Sequence, residues 1–263
     1  MVRNLLVRGM LAGLAAAALA LVFAWVFGEP QVSAAIAVEE RAGGHAAHAP
    51  AVPGESGTAA SESGHEHAEE GPVSRDVQST LGLATGLGVF GVAVGGVFAI
   101  MFAFAYGRLG SFGPRATAAL LALGGFIAVE LVPFLKYPAN PPAVGDPATI
   151  SRRTVLYLAI LVISVLLAVA AVRLGRQLAP RHGAWNATLL AALAYVVIMA
   201  VAYVLMPTVD EVASDFPASL LWRFRIASLG TQAIMWSGIG LVFGALAERA
   251  LTPRRALVPS PAA

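Results

Sequence analysis

The sequence predicts an all-α polytopic membrane protein, with six transmembrane helices in a single membrane domain that spans residues 1–263. Of these residues, 58% are hydrophobic and only 12% are charged, about half the charged share of an average soluble domain. Six apolar runs are each close to the roughly 20 residues that a helix needs to cross a bilayer. They lie at about 5–27, 79–106, 116–134, 152–172, 185–206 and 224–247.

The distribution of arginine predicts the orientation of these helices. Basic residues favour the cytoplasmic side of a membrane protein. If the N-terminus lies inside, the cytoplasmic side has ten arginines and one acid, whereas the outer side has seven basic and thirteen acidic residues. The inverted topology would reverse this bias, so we expect both termini in the cytoplasm.

The first apolar run follows Arg3 and Arg8 and could be mistaken for a signal peptide. Its apolar core exceeds the usual signal-peptide core of about 7–15 residues. We therefore expect this run to remain in the protein as the first transmembrane helix, although the small residues near Ser33 keep cleavage open as an alternative.

The segment 28–78 predicts a disordered outer loop, because it is rich in Gly, Ala, Ser, Pro and Glu and has no aromatic residue. It carries four of the five histidines and nine acids. Imidazole and carboxylate ligands suit Co²⁺, Ni²⁺ and Zn²⁺. A flexible loop would bind these ions weakly and with little selectivity. The alternative is a solvated acidic loop. The candidate metal ligands are His45, His48, His65, Glu66, His67, Glu69 and Glu70.

The strip 132–147 lies between the third and fourth apolar runs and has five prolines and the only lysine, Lys136. Proline fixes φ and removes a backbone donor, so we expect this strip to be irregular. Glu130, just before it, is the one acid inside an apolar run. An acid at membrane depth is costly and usually faces a cavity or a partner.

We expect Glu130, Asn140 and Asp146 to lie along a substrate pathway at the outer mouth of the bundle. Carbonyls of the proline strip would lie nearby, and Lys136 argues against cation entry there unless it points outward or pairs with an acid. Two alternatives remain open. Glu130 could form an ion pair with an arginine of a neighbouring helix, and Asp146 could cap a helix that begins at Pro147. Gln232 could also line a path, although packing is the preferred interpretation.

Two further patterns concern the packing of the helices. Small residues recur four positions apart, a spacing that allows close helix contact in lipid. Turns that contain Arg108-Leu109-Gly110 and Arg173-Leu174-Gly175 suggest a duplicated helix hairpin, and chance is the alternative. The glycine pairs are Gly9/Gly13, Gly82/Gly86, Gly91/Gly95 and Gly240/Gly244.

Several function classes are excluded by composition. The chain has no cysteine, which excludes disulfides, thiolate catalysis and thiolate metal sites. A phosphate-binding G-x-x-x-x-G-K-[ST] loop is impossible at Lys136. There is no H-E-x-x-H helix and no Ser/His/Asp constellation, so we expect no enzymatic activity. The basic residues lie at helix ends, so we expect no nucleic-acid partner.

Three features together resemble the CbtA family, predicted cobalt transporter subunits of bacterial membranes. They are the loop His65-Glu66-His67-Ala68-Glu69-Glu70, the strip from Pro133 to Pro147, and Trp222-Arg223-Phe224-Arg225 before the last helix. The resemblance implies a multi-pass protein of the bacterial inner membrane and cobalt uptake with a small, single-span CbtB-like subunit.

On this basis we expect the outer loop to capture Co²⁺, with Ni²⁺ or Zn²⁺ as alternatives, and the helix bundle to translocate it. The ion would be bound by the loop or transported, and no tightly bound cofactor is expected. The expected partners are the lipid bilayer, the small subunit and, as an open option, further copies of the chain. The competing hypothesis is a membrane subunit that binds metal or scaffolds a complex without transporting.

Overall fold

The computed structural model describes residues 2–46, 74–142 and 144–252, and this part of the chain is all-helical. It has five helices that are long and apolar enough to cross a membrane. Three of them contain a π-helical segment of five or six residues. The helices are α1 (Val2–Phe23, Ala24–Gly28, Glu29–Ala46), α2 (Arg75–Val77, Gln78–Gly82, Leu83–Ala105), α3 (Pro114–Gly125, Phe126–Leu131, Val132–Lys136), α4 (Ile150–Leu205) and α5 (Ala218–Leu251).

The predicted start of a disordered loop at Gly28 is wrong, because α1 continues as helix to Ala46. The π segment Ala24–Gly28 explains how it passes a proline. The Glu29 N–H bonds to Ala24 O, five residues back, and the next residue, Pro30, has no N–H to donate. A single π turn therefore accommodates the proline without ending the helix. At the other end of the predicted loop, residues 75–78 already belong to α2, and 47–73 lie outside the described residues.

Helix α4 is a hairpin of two helical arms. Gly183 has φ 76° and ψ 156°, which is not helical. The Ser164 and Tyr195 hydroxyls lie 2.8 Å apart although 31 residues separate them. In a straight helix they would be about 46 Å apart. The chain therefore reverses direction at Gly183, and the arms 150–182 and 184–205 pack side by side.

This turn lies between the predicted helices 152–172 and 185–206, where the proposed duplication has its second turn. Arg108-Leu109-Gly110 does lie in a turn after α2, but Arg173-Leu174-Gly175 is helical. The reversal comes eight residues after Gly175, at a glycine with positive φ. A second turn between these two helices is therefore present, although its Arg173-Leu174-Gly175 part is helical. The duplication itself stays a prediction.

Glycine and alanine bring four helices into close contact. A Cβ added at Gly13 would overlap the Gly91 carbonyl, and one added at Gly95 would overlap the Gly9 carbonyl, so α1 and α2 touch backbone to backbone. On the other side, Gly240 of α5 packs against Ala122 of α3. Three of the four predicted glycine pairs thus mediate helix packing. The fourth does not, since Gly86 has no atom within 4 Å of its Cβ position.

Two apolar clusters result from this arrangement. The larger cluster joins α1, α2, α3 and α5 and includes Phe98, Phe102 and Phe243, whose rings meet edge to face. The smaller cluster joins the end of α3 to the two arms of α4 around Val132, Ile160 and Met199. Helix α3 therefore belongs to both clusters, with its first half in the large one and its proline-containing end in the small one.

Candidate functional site

A cavity of about 970 Å³ lies where the proline strip meets α3, α4 and α5. The strip leaves the helix at Tyr137 and is irregular as far as Asp146, as its prolines predict. The cavity is lined by Glu130, Phe134, Lys136, Tyr137, Pro138, Ala139, Asn140, Val144, Ile150, Arg153, Thr154, Tyr157, Leu158, Thr208, Val209, Asp210, Val212, Arg225, Ser228, Leu229 and Gln232. Two of the three predicted pathway residues, Glu130 and Asn140, thus lie in one cavity.

Glu130 occupies the π segment Phe126–Leu131, and a proline again accounts for it. The Val132 N–H bonds to Ile127 O, and the next residue, Pro133, has no N–H for Ala128 O. Ser164 of α4 supplies the missing donor: its buried hydroxyl donates to Ala128 O at 2.7 Å. A freed carbonyl at membrane depth needs such a partner, because lipid offers none. The contact also ties α3 to α4 beside Glu130.

The Glu130 carboxylate accepts a hydrogen bond from Trp236 Nε1 at 3.3 Å. The Trp236 ring reaches this position because it lies on Gly125, where a Cβ would overlap the indole. No arginine or lysine of the described chain lies within ion-pair distance of Glu130. The expected alternative, an ion pair with Arg152, Arg153, Arg223 or Arg225, is therefore not formed here.

Gln232 provides a second oxygen on the same side of the cavity. It lies one helical turn before Trp236 on α5, and both Gln232 and Glu130 line the cavity. Its Oε1 is buried and has no hydrogen-bond partner among the described residues. Buried polar atoms are nearly always paired, so Gln232 is an unused acceptor among the described residues, in the cavity that Glu130 also lines.

Asn140 is held by an arginine that sequence reasoning did not include among the site residues. Arg225 Nη2 donates to Asn140 Oδ1 at 2.8 Å, and Arg225 Nε donates to Ala139 O at 3.3 Å. The amide oxygen expected to be free for a metal, and one of the strip carbonyls, are therefore occupied. The contact spans 85 residues, and only the arginine at the start of the last helix hinted at it.

Asp146 is a helix cap, as the alternative interpretation predicted. Its Oδ1 accepts from the Ala148 N–H at 2.8 Å, and Pro147 begins a 3₁₀ turn, Pro147–Thr149, that leads into α4. Asp146 does not line the cavity. Its backbone N–H donates to Glu211 Oε2 at 3.1 Å, which ties the segment after α4 to the proline strip.

Glu211 is the centre of a second polar cluster at the rim. Its carboxylate lies 3.3 Å from Arg153 Nε. Hydrogen bonding from the Thr149 side chain, together with the Asp146 N–H and the charge of Arg153, holds the pKa of Glu211 below its usual value of 4.5. Neutral polar donors and a cation favour the ionised carboxylate. The ion pair leaves one positive charge fewer at the cavity rim.

Within the described part of the chain, Lys136 neither pairs with an acid nor points freely outward. Its Nζ donates to Tyr203 O at 2.8 Å, in the last turn of α4. A cation at the C-terminal end of a helix is favourable, because the last carbonyls lack helical partners. The neighbouring Tyr137 hydroxyl donates to Pro207 O at 2.7 Å. The end of α3 is thus fastened to the end of α4.

The histidine-rich candidates lie at the edge of the described residues or beyond it. His45 falls in the last turn of α1, where only the backbone is described. His48, His65, Glu66, His67, Glu69 and Glu70 lie outside the described residues. Within 2–46, 74–142 and 144–252, no three His, Asp or Glu side chains come together as a metal site.

Comparison with known families gives one match, which covers nearly the whole chain. A family model described as "Probable cobalt transporter subunit (CbtA)" matches residues 2–248, and the resemblance drawn from the sequence is thereby confirmed. No curated protein and no solved structure matches the chain.

Proposed function

The chain belongs to the CbtA family of cobalt transporter subunits, and from this premise we propose that it forms the translocation path for Co²⁺. Proteins of this kind are generally not enzymes. In our proposal the cation enters the 970 Å³ cavity from the outer side and reaches Glu130 and Gln232 at its membrane-depth end. Ni²⁺ and Zn²⁺ are alternative cargoes with the same ligand preferences.

One observation carries this proposal. Glu130 is a carboxylate at membrane depth that has a tryptophan N–H and no cation as its partner in the described chain. In the same cavity the Gln232 Oε1 has no hydrogen bond among the described residues. An acid in such surroundings is costly to keep unless it serves a pathway. Two oxygens at the end of a cavity suit a divalent cation with several water ligands.

We further propose six membrane crossings with both termini in the cytoplasm. The arms of α4, 150–182 and 184–205, are each longer than the roughly 20 residues that a crossing needs. The turn between them contains Arg181 and His182, which favours a cytoplasmic position. Because the native chain has no cysteine, cysteines introduced at Ser61 and Ser260 report the topology directly. If the Ser61→Cys protein is labelled only from the cytoplasmic side, this orientation is refuted.

The histidine-rich outer segment is proposed to capture the metal before it enters the cavity. Binding would deprotonate imidazolium, so affinity should fall as the pH drops through about 6.5. A synthetic peptide of residues 40–72 can be titrated with Co²⁺ by calorimetry. No heat at millimolar Co²⁺ and neutral pH would rule out capture.

The competing proposal is a non-transporting subunit that binds metal or scaffolds a small single-span partner. The lining of the cavity favours it to some degree, because Lys136, Arg153 and Arg225 outnumber the two acids, Glu130 and Asp210. Measuring cobalt accumulation in cells that express this chain with and without the partner separates the two. A transport path should raise accumulation, and a scaffold alone should not.

The test of the transport proposal is Glu130→Gln, which keeps the shape of the side chain and removes its charge. We expect a monodisperse protein with cobalt uptake reduced to background. The matched control is Glu248→Gln, which removes an acid that pairs with Arg115 at the other end of the bundle. That variant should retain uptake. Normal uptake by folded Glu130→Gln would refute the role of Glu130.

A further inference from the structure

The basic residues that line the cavity differ in whether an acid lies close enough to pair with them. Arg225 has no carboxylate within ion-pair distance in the described part of the chain. The other two basic lining residues are engaged, Arg153 with Glu211 and Lys136 with Tyr203 O. Lys136 therefore keeps its charge beside a neutral carbonyl, and Arg225 is a second positive charge that has no acid partner among the described residues. A path for a bare cation would gain nothing from such a residue, since like charges repel.

Arg225 also retains hydrogen-bonding capacity. A guanidinium has five N–H donors, and Arg225 uses one on Ala139 O and one on Asn140 Oδ1. These two bonds fix the guanidinium in place. The remaining donors can bind a carboxylate, whose two oxygens, like those of a phosphate, match the fork of an arginine.

The negative end lies deeper along the same helix. Gln232 follows Arg225 by seven residues, which is about 10 Å along the axis of α5. Trp236, one turn further, donates to Glu130. Along α5 the cavity thus has a cation near the start of the helix and an oxygen acceptor about two turns further on, while Asp210 lines the cavity from the segment after α4.

The volume of the cavity points the same way. A divalent ion with six water ligands occupies about 200 Å³, taking about 30 Å³ for each water. The cavity measures about 970 Å³, within the range of about 300–1,000 Å³ that is usual for small organic ligands. A hydrated ion would leave most of it empty.

We propose that this cavity binds the metal as an anionic complex with a small polycarboxylate, of which citrate is the simplest probe. This inference rests on the proposed function and names its substrate. The carboxylates of the complex contact Arg225, and the metal faces Glu130 and Gln232, which replace part of its water. In this orientation the negative carboxylates of the complex face the positive Arg225, and the positive metal ion faces the negative Glu130.

The test uses the purified full-length protein with radioactive cobalt and radioactive citrate. We expect the wild-type protein to retain the two labels together, and to retain each label poorly when the other is absent. Arg225→Gln should lose citrate retention about ten-fold or more, as expected for charge-assisted hydrogen bonds. Arg223→Gln is the matched control: it removes the same charge two residues earlier, on an exposed side chain that does not line the cavity, and should retain both labels.

Different results overturn the two proposals. If cobalt is retained without citrate, and citrate lowers retention only as it lowers free Co²⁺, the complex is wrong and cation transport stands. If the wild-type protein neither retains nor takes up cobalt in any form, transport itself fails. Should Arg225→Gln not fold, Arg225→Lys keeps the charge and loses the planar fork. Undiminished citrate retention by Arg225→Lys would overturn the assignment of Arg225.

Discussion

The two ends of α3 belong to halves of the molecule that are held together by different means. In the glycine half, formed by α1, α2, the start of α3 and the end of α5, backbones touch at Gly13 and Gly91, and the interior is filled by alanine and phenylalanine. In the cavity half, formed by the end of α3, α4 and the start of α5, hydroxyl and ammonium groups bind carbonyls. Ser164, Tyr203 and Lys136 provide these contacts.

The difference shows how one membrane protein can combine a closely packed, rigid half with a half that contains a cavity. Lipid gives no hydrophobic driving force between helices, so helices associate through close packing or through interhelical hydrogen bonds. Close packing leaves little space between helices, and no residue of α1 or α2 lines the cavity described above. Hydrogen bonds between more widely spaced helices allow the 970 Å³ cavity to exist. We infer that the glycine half is the scaffold and that the cavity half performs the function.

The largest effect is expected where the backbones touch. Gly13→Leu places a side chain where the Gly91 carbonyl lies, and neither backbone can move without separating α1 from α2. We expect a loss of about 3 kcal/mol or more, at or above the upper end of overpacking costs. Thermal unfolding in detergent micelles, followed by size exclusion, measures it. The control Gly86→Ala has open space at its Cβ and should leave the unfolding temperature unchanged or slightly raised.

A smaller loss is expected where one hydroxyl joins α3 to α4. Ser164→Ala leaves Ala128 O buried without its donor, because Pro133 cannot supply one. An unsatisfied buried carbonyl costs about 1–3 kcal/mol. Thr188→Ala is the control, since the Thr188 hydroxyl bonds only to Ala184 O of its own helix. If both variants unfold at the same temperature, the hydroxyl of Ser164 does not hold the cavity half together.

The features of these two halves that could be predicted are those visible within a short stretch of sequence. The glycine pairs predicted close packing, because a spacing of four residues places both glycines on one helix face. The proline strip predicted irregular backbone, and Glu130 predicted a polar site, because each departs from an apolar run locally. The α1 extension was missed, since a single π turn accommodates Pro30 and leaves no local signal of continuation.

The contacts that build the cavity could not be predicted for a different reason. Arg225 and Asn140 are 85 residues apart, and Ser164 and Ala128 are 36 apart. Their pairing depends on how the helices are arranged in space. For the same reason, Asp146 and Asn140 were expected to face the substrate. Instead, Asp146 Oδ1 accepts the Ala148 N–H, and Asn140 Oδ1 accepts a hydrogen bond from Arg225. Gln232 is notable only because its neighbours leave it unpaired.

Tyr195→Phe should have a smaller effect than Ser164→Ala. The Ser164 hydroxyl donates its proton to Ala128 O, so the Tyr195 hydroxyl must be the donor in their 2.8 Å contact. The substitution removes that bond and leaves the carbonyl satisfied. We expect a loss of about 0.5–1.5 kcal/mol, the net value of one hydrogen bond. A loss as large as that of Ser164→Ala would mean that Tyr195 supports more than the serine.

The smallest effect is expected at the rim, where acid should loosen the segment that follows α4. The pKa of Glu211 lies below its usual 4.5 in the folded protein, because Thr149, the Asp146 N–H and Arg153 favour the carboxylate. A lowered native pKa means that the attachment is fully present above about pH 4.5 and is lost as the pH falls through the native value. Hydrogen exchange of the backbone amides between 206 and 217, corrected at each pH for the intrinsic exchange rate, should therefore accelerate only in acid.

Two variants give this prediction its controls. Glu211→Gln removes the charge, so exchange should already be fast at neutral pH and should no longer change with acid. Asp215→Asn removes another acid of the same segment, which is exposed and forms no ion pair in the described chain, and should keep the wild-type profile. The neighbouring charges, Arg152, Arg153, Asp146 and Asp210, are intact in both. If acid accelerates exchange equally in all three proteins, the loosening arises elsewhere, and the segment beside the cavity is not held by Glu211.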